Sequence, residues 1–236
     1  MRPLPLLLLT LVAAITGSAA TLPEAVTAGD DELVAALLDA GADIRATLIS
    51  TPDGSRVAFC SRTGGYFHVF TVDVASGELR RLTSGPSNNE EPCWSPDGRH
   101  IAFASDRSGL KQVFIMNADG SQRKRLCDGW YPRFSPDGKL LHVYAPTSSS
   151  IHVIRPDGRA ERKLVGTTMP VKYGGGTWSP EGNRIVFIGT RDGKEHLATV
   201  AVDDEDERSV RILYTEDGED LELVGPPAWS PDGKRI

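Results

Sequence analysis

Short apolar runs, each closed by a polar turn that carries Gly or Pro, recur along most of this chain. Val57-Ala58-Phe59, Ile101-Ala102-Phe103, Leu140-Leu141-His142-Val143 and Ile185-Val186-Phe187-Ile188 are nearly continuous in apolar character. That is the pattern of strands buried on both faces. A second set follows one turn later: Val69-Phe70-Thr71-Val72, Val113-Phe114-Ile115-Met116, Ile151-His152-Val153-Ile154 and Leu197-Ala198-Thr199-Val200. After a further turn come Leu79-Arg80-Arg81-Leu82-Thr83, Arg123-Lys124-Arg125-Leu126 and Glu161-Arg162-Lys163-Leu164, whose interspersed charges suit an exposed sheet edge. Ahead of each set stands a short extended piece such as Glu91-Pro92-Cys93-Trp94-Ser95. The pattern predicts a unit of four strands and three turns, repeated.

The first turn of the unit is nearly a fixed phrase. It reads Trp94-Ser95-Pro96-Asp97-Gly98, Phe134-Ser135-Pro136-Asp137-Gly138, Trp178-Ser179-Pro180-Glu181-Gly182 and Trp229-Ser230-Pro231-Asp232-Gly233, with a worn first copy in Ser50-Thr51-Pro52-Asp53-Gly54. The prolines are 44, 40, 44 and 51 residues apart. Pro presets φ, Asp favours the next turn position, and Gly accepts the left-handed conformation that other residues resist. A tight hairpin with a glycine bulge is expected at each copy. A period of about 40–50 residues with four strands per period is that of a β-propeller blade. The expected fold class is therefore all-β: a propeller of four-stranded antiparallel blades at about 46–88, 89–130, 131–173 and 174–225, with the start of a fifth at 226–236. Four blades and a stub are expected to form an incomplete ring belonging to a longer gene product. The uncovered face of the last blade would then be open to a partner or to self-association.

With Trp-Ser-Pro-Asp-Gly leading into Ile-Ala-Phe-x-Ser-x-Arg-x-Gly, and later an Asp-Gly turn and an Arg-Leu pair, the repeat over roughly residues 47–236 resembles the TolB-like, WD40-like (PD40) propeller family. The resemblance implies a propeller fold. It leaves function among several kinds of protein: exported binding scaffolds, the gating propellers of prolyl-oligopeptidase- and tricorn-type serine peptidases, and oligogalacturonate-lyase-like enzymes that use histidines and a metal.

The N-terminus follows a different pattern. Arg2, the apolar stretch from Leu4 to Ile15 and the small residues Ser18-Ala19-Ala20 read as a signal peptide over 1–20, with the mature chain starting near Thr21 in the periplasm or outside the cell. The apolar stretch is too short for a membrane span, so no stable membrane insertion is expected after cleavage. Residues 21–45 read as a helical hairpin. Pro23 suits a first helical position, Asp30 suits a cap, Leu33, Val34, Leu37 and Leu38 form one stripe, and Gly41 forms a stop. Its wording resembles the helical part of one ankyrin repeat.

Composition narrows the chemistry. Gly (24) and Pro (16) are as plentiful as a turn-rich chain requires, and a net charge of −6 argues against nucleic acid as a partner. Cys60, Cys93 and Cys127 are odd in number and differently placed in their repeats, so they make no disulfide framework, although one pair could meet. No Gly-x-Ser-x-Gly elbow, His-Glu-x-x-His, phosphate loop or Cys-x-x-Cys pair is present in the sequence. His68, His100, His142, His152 and His196 do not recur from blade to blade and are read as surface or strand-filling residues. Asp203–Glu207 and Glu216–Asp220 are read as solvated acidic loops rather than calcium sites, and Arg62, Arg107 and Arg191 as making a structural ion pair or hydrogen bond. No catalytic residue, metal ligand or cofactor is assigned. Glu90 and Glu91 are the candidate partner-facing residues at the channel mouth. The expectation is an exported, non-catalytic scaffold that binds a protein or peptide through loops at one mouth. The alternatives are the propeller of a serine peptidase and a propeller-type lyase.

Overall fold

A strand buried on both faces needs a hydrogen-bonded neighbour on each edge. The computed structural model of this chain, which describes residues 44–203, 207–216, 223 and 225–236, places its strands in four antiparallel sheets. The first contains β1 (Ile44–Ser50), β2 (Arg56–Thr63), β3 (Tyr66–Asp73) and β4 (Leu79–Arg81). The second contains β5 (Asn89–Trp94), β6 (His100–Ser105), β7 (Gln112–Asn117) and β8 (Lys124–Asp128). The third contains β9 (Trp130–Phe134), β10 (Leu141–Ala145), β11 (Ser150–Ile154) and β12 (Arg162–Val165). The fourth contains β13 (Val171–Trp178), β14 (Arg184–Arg191), β15 (Lys194–Ala201) and β16 (Arg211–Thr215). In every sheet the strands lie in chain order, each hydrogen-bonded to the next. This is the four-stranded antiparallel blade that the sequence predicts. The described residues contain no helix. The signal segment and residues 21–43 of the expected hairpin lie outside the described residues, as do Asp204–Asp206 and 217–220 of the two acidic runs. Ile44 and Arg45, expected at the end of the hairpin, belong to β1.

The chain divides into two compact units, residues 1–124 and 125–236. In the first, Phe59 faces Phe70 across the β2–β3 ladder with ring centroids 5.8 Å apart, and Phe103 faces Phe114 across β6–β7 at 5.7 Å. The same cross-strand aromatic pair thus recurs in two consecutive repeats, and such pairs are the unit of sheet stabilisation. Its core joins Ala58, Val69 and Leu82 to Trp94, Ile101 and Phe103. In the second unit, Ile151, Val153 and Leu164 pack on Trp178, Ile185 and Phe187, with Met169 fully enclosed.

The outermost strands differ in their protection. β4, β8 and β12 carry the expected charges, whereas β16 reads Arg211-Ile212-Leu213-Tyr214-Thr215, with Ile212 41% and Leu213 49% exposed.

Candidate functional site

Each sheet has two ends of different character. At one end lies the repeated turn. Ser95 Oγ donates to Asp97 Oδ1 (2.5 Å) and accepts the His100 N–H (2.9 Å), Asp97 Oδ1 accepts the Arg99 N–H (3.0 Å), and the Gly98 N–H returns to the Ser95 carbonyl (2.9 Å). Gly98 sits at φ +67°. Thr51-Pro52-Asp53-Gly54, Ser135-Pro136-Asp137-Gly138 and Ser230-Pro231-Asp232-Gly233 repeat this network, with hydroxyl-to-carboxylate distances of 2.6, 2.7 and 2.6 Å. The hydroxyl bond, joined by a backbone N–H, lowers the carboxyl pKa of Asp97 and Asp232, and takes Asp53 and Asp137 down to about 2. In the remaining copy Glu181 is one methylene too long for the role. Ser179 Oγ bonds Asn183 Oδ1 (3.1 Å) and Asn183 Nδ2 bonds Glu181 Oε2 (3.2 Å), so Asn183 supplies the acceptor that Asp supplies elsewhere.

These turns also meet across sheets: the ring of Pro136 lies 3.3 Å from the place a Cβ on Gly182 would take, and Pro180 lies 3.7 Å from that of Gly233. They are joints. Ser95 is only 4% exposed, and Ser95→Ala removes the acceptor of the His100 N–H, which should cost about 2 kcal/mol in urea unfolding. An open groove of about 640 Å³ at this end of the third sheet is lined by Asp137, Lys139, Leu140, Arg155, Pro156 and Asp157. Its charges answer one another locally, Lys139 to Asp137 at 3.1 Å and Arg155 to Asp157 at 3.6 Å.

The other end is where the first strand of each sheet begins, beside the hairpin that joins its second and third strands. Here every first strand breaks register: β1 between Arg45 and Ile49, β5 between Glu90 and Cys93, β9 opposite His142 and Tyr144, and β13 between Val171 and Gly176. In β5 and β9 the cause is legible. Pro92 and Pro132 have no N–H to give to a ladder, and a bulge is where a strand tolerates that. The residue before each proline takes a left-handed backbone, Glu91 at φ +54° and Tyr131 at φ +51°. β13 reaches the same shape with Gly174 (φ +77°) and Gly175 (φ +105°). A left-handed Glu or Tyr costs about 1 kcal/mol or more, and bulges re-aim side chains.

The predicted partner-facing residue Glu90 is ion-paired. Its side chain is 12% exposed and its partner is Lys111, which also stands 3.9 Å from Asp106. Asp106 in turn accepts two bonds from Asn88, each at 2.8 Å. Glu91 sits half-buried on the bulge itself. On the third sheet the bulge carries residues the sequence reading passed over. The Trp130 and Tyr131 rings stack at 4.8 Å with 20° between planes, both half-exposed. Tyr131 lies flat against Gly174, where a Cβ would come within 2.7 Å of the ring. The Pro two residues before the Phe134 of the turn motif was the available signal.

The remaining candidates are structural. Arg107 bonds Asn89 (2.9 Å) and Ser105 (3.1 Å) and lies 4.1 Å over the Phe114 ring, Arg62 bonds the Gly65 carbonyl (3.3 Å), and Arg191 bonds Thr168 (3.3 Å). These are hydrogen bonds and ring contacts, not the ion pairs that were the other expectation. All three cysteines are buried and outside any disulfide, and burial pushes the Cys127 thiol up to about 12, far from a reactive thiolate. His196 bridges Thr215 (2.9 Å) and the Arg191 carbonyl (3.1 Å). His68 is 1% exposed, and burial, then Arg81, lowers its pKa. His142 is fully enclosed, and both its ring nitrogens lack a well-formed hydrogen bond. Burial, then Arg133, takes it down to about 3, while the nearby Gly176 backbone favours the charged ring slightly. His152 bonds Ser150 and Glu161, each at 3.1 Å. Among the described residues no three His, Cys, Asp or Glu side chains gather to hold a metal ion.

A repeated Ser-Pro-Asp-Gly hairpin on four-stranded antiparallel blades defines a TolB-type propeller, and the chain belongs to that family: the model of the TolB beta propeller domain (PD40) matches residues 48–232. An uncharacterized protein of Agrobacterium fabrum is 32% identical over 78% of this chain and 50% of its own length. The crystal structure of TolB from Acinetobacter baumannii superposes on 78% of this chain and 45% of its own, with a TM-score of 0.61 and 23% identity. That of a puromycin hydrolase does so on 80% and 32%, with a TM-score of 0.59 and 17% identity. The chain thus spans half or less of the length of each of these proteins, and the two structures share its fold.

Proposed function

We propose that this chain is an exported scaffold that binds a protein or peptide partner at the bulged ends of its blades. The observation that carries the reading is the pair of left-handed, non-glycine residues, Glu91 and Tyr131, at the same step of β5 and β9. Strained backbone of this kind persists where the surroundings over-determine it, and it concentrates at functional sites. Here it sets Glu91 and the stacked, partly exposed Trp130 and Tyr131 on the bulges. His142 and Cys127 are held in their neutral forms by burial and so serve the core of the blades. The leader over residues 1–20 supports export. Similarity to a puromycin hydrolase at the level of fold alone does not favour a catalytic reading.

The test uses the chain immobilised and exposed to periplasmic extract. The wild type should retain a protein that Tyr131→Ala and Glu91→Ala each release by tenfold or more, and that Lys139→Glu, at the turn end, retains. Equal retention by all four proteins would overturn the reading. Fractionation of the expressing cells reads the export.

A further inference from the structure

The third sheet holds a hydrogen-bonded chain of side chains that the binding function does not use. Glu161 Oε1 lies 3.1 Å from His152 Nδ1, His152 Nε2 lies 3.1 Å from Ser150 Oγ, and Ser150 Oγ lies 2.6 Å from Ser148 Oγ. We propose that Ser148 is a nucleophilic hydroxyl, activated through Ser150 by the His152–Glu161 pair, and able to take an acyl or phosphonyl group from an activated donor.

The backbone explains why these four residues meet. Ser150 and His152 are alternate residues of β11 and therefore share a face. Glu161 stands immediately before β12. Ser148 belongs to the four-residue turn joining β10 to β11, where Ser149 takes φ +46° and folds the chain back over Ser150. That turn is anchored, because the Ser149 carbonyl accepts the Val171 N–H at 2.6 Å. Gly166 presses on the same point: a Cβ there would lie 2.4 Å from the Ser150 Cβ, so the backbone packs directly on Ser150 and restricts its side chain.

The carboxylate can only accept, so it holds the His152 proton on Nδ1 and leaves Nε2 as the acceptor. Ser150 then donates to His152, and its oxygen is free to accept from Ser148. This is the nucleophile, base and orienting acid of activated-serine chemistry, with one extra hydroxyl in the path. Exposure is graded in the sense the chemistry needs. Ser150 is 0% exposed and the His152 side chain 24%, while Ser148 is open to solvent. The buried serine cannot meet a substrate, and the exposed one can.

The step balances without an outside oxidant or reductant. Ser148 Oγ attacks the acyl carbon or phosphorus of the donor and forms the new O–C or O–P bond. Its proton passes to Ser150, and the Ser150 proton passes to His152 Nε2. The bond to the leaving group breaks with its electron pair, giving an alcohol that takes the proton from His152, or fluoride from a fluorophosphonate. The proposal goes beyond the partner-binding reading and does not rest on it.

The experiment treats the full chain with an alkyl fluorophosphonate and reads the adduct by mass spectrometry. A single adduct on Ser148 is expected, absent from Ser148→Ala and slowed by 100-fold or more in His152→Ala. Added imidazole should restore labelling to His152→Ala and not to Ser148→Ala, which a merely structural His152 would not produce. Thermal unfolding of Ser148→Ala, a change in an exposed turn, should match the wild type. Labelling no faster than that of the urea-unfolded chain, or an adduct on another residue, would overturn the proposal.

Discussion

Acidification from pH 7 to pH 5 should remove about 2 kcal/mol of stability through His142 alone. The folded protein holds this ring neutral to about pH 3, against an ordinary value of 6.5. Once unfolded, the ring takes up a proton below pH 6.5. Between those two values the unfolded state binds one proton that the folded state refuses, so stability falls as pH falls, by about 1.4 kcal/mol per pH unit. Carried to pH 3 the loss approaches about 5 kcal/mol. Above pH 6.5 neither state is charged and the contribution vanishes. His142→Leu removes the titration and packs an apolar side chain against Trp178, whose ring centroid lies 5.8 Å from the imidazole. Urea unfolding at pH 7 and pH 5 should show the wild type losing about 2 kcal/mol more than the variant over that interval. Parallel losses would show that the ring gains a proton or a partner in the folded state.

The second large effect is steric. Gly176 lies in β13 opposite Phe187, and a Cβ placed on it would stand 2.3 Å from the Val186 carbonyl oxygen and 2.7 Å from the Ile185 side chain. The nearest obstacle is backbone in the middle of a ladder and has nowhere to retreat. Gly176→Ala should therefore cost about 3 kcal/mol or more, the upper part of the range for overpacking. Gly193→Ala is the control. It has open space around it and only a left-handed backbone (φ +74°) to strain, so it should cost about 1 kcal/mol. Comparable losses in the two variants would mean that β13 can shift to admit a side chain.

The blades were legible because each repeat writes its own turn. A Ser or Thr, a Pro, an acid and a Gly dictate a hairpin through contacts within five residues, and the apolar runs on either side dictate which strands are buried. What the sequence concealed lies in contacts between repeats. The Trp178 indole donates to the Arg133 carbonyl at 2.9 Å and that of Trp229 to the Thr177 carbonyl at 3.2 Å, tying successive repeats together. No local pattern announces bonds that span 45 and 52 residues. The exchange of Asp for Asn183 in the fourth turn was hidden for a related reason, since tolerance of Glu181 was legible and its helper was not. Pro92 and Pro132 did carry the bulges, but only the pairing shows that they turn Glu91 and Tyr131 into left-handed residues. Nor does the sequence around Glu90 announce its ion pair, which Lys111 makes from 21 residues away.

Photo-crosslinking in living cells tests the central claim most directly. A photoreactive residue is placed singly at Tyr131 and Lys139, at opposite ends of the third sheet, and at Glu91 and Arg99, at opposite ends of the second. Binding at the bulged ends predicts a discrete protein adduct from Tyr131 and from Glu91, and none from Lys139 or Arg99. Adducts from the turn positions, with none from the bulges, would contradict it.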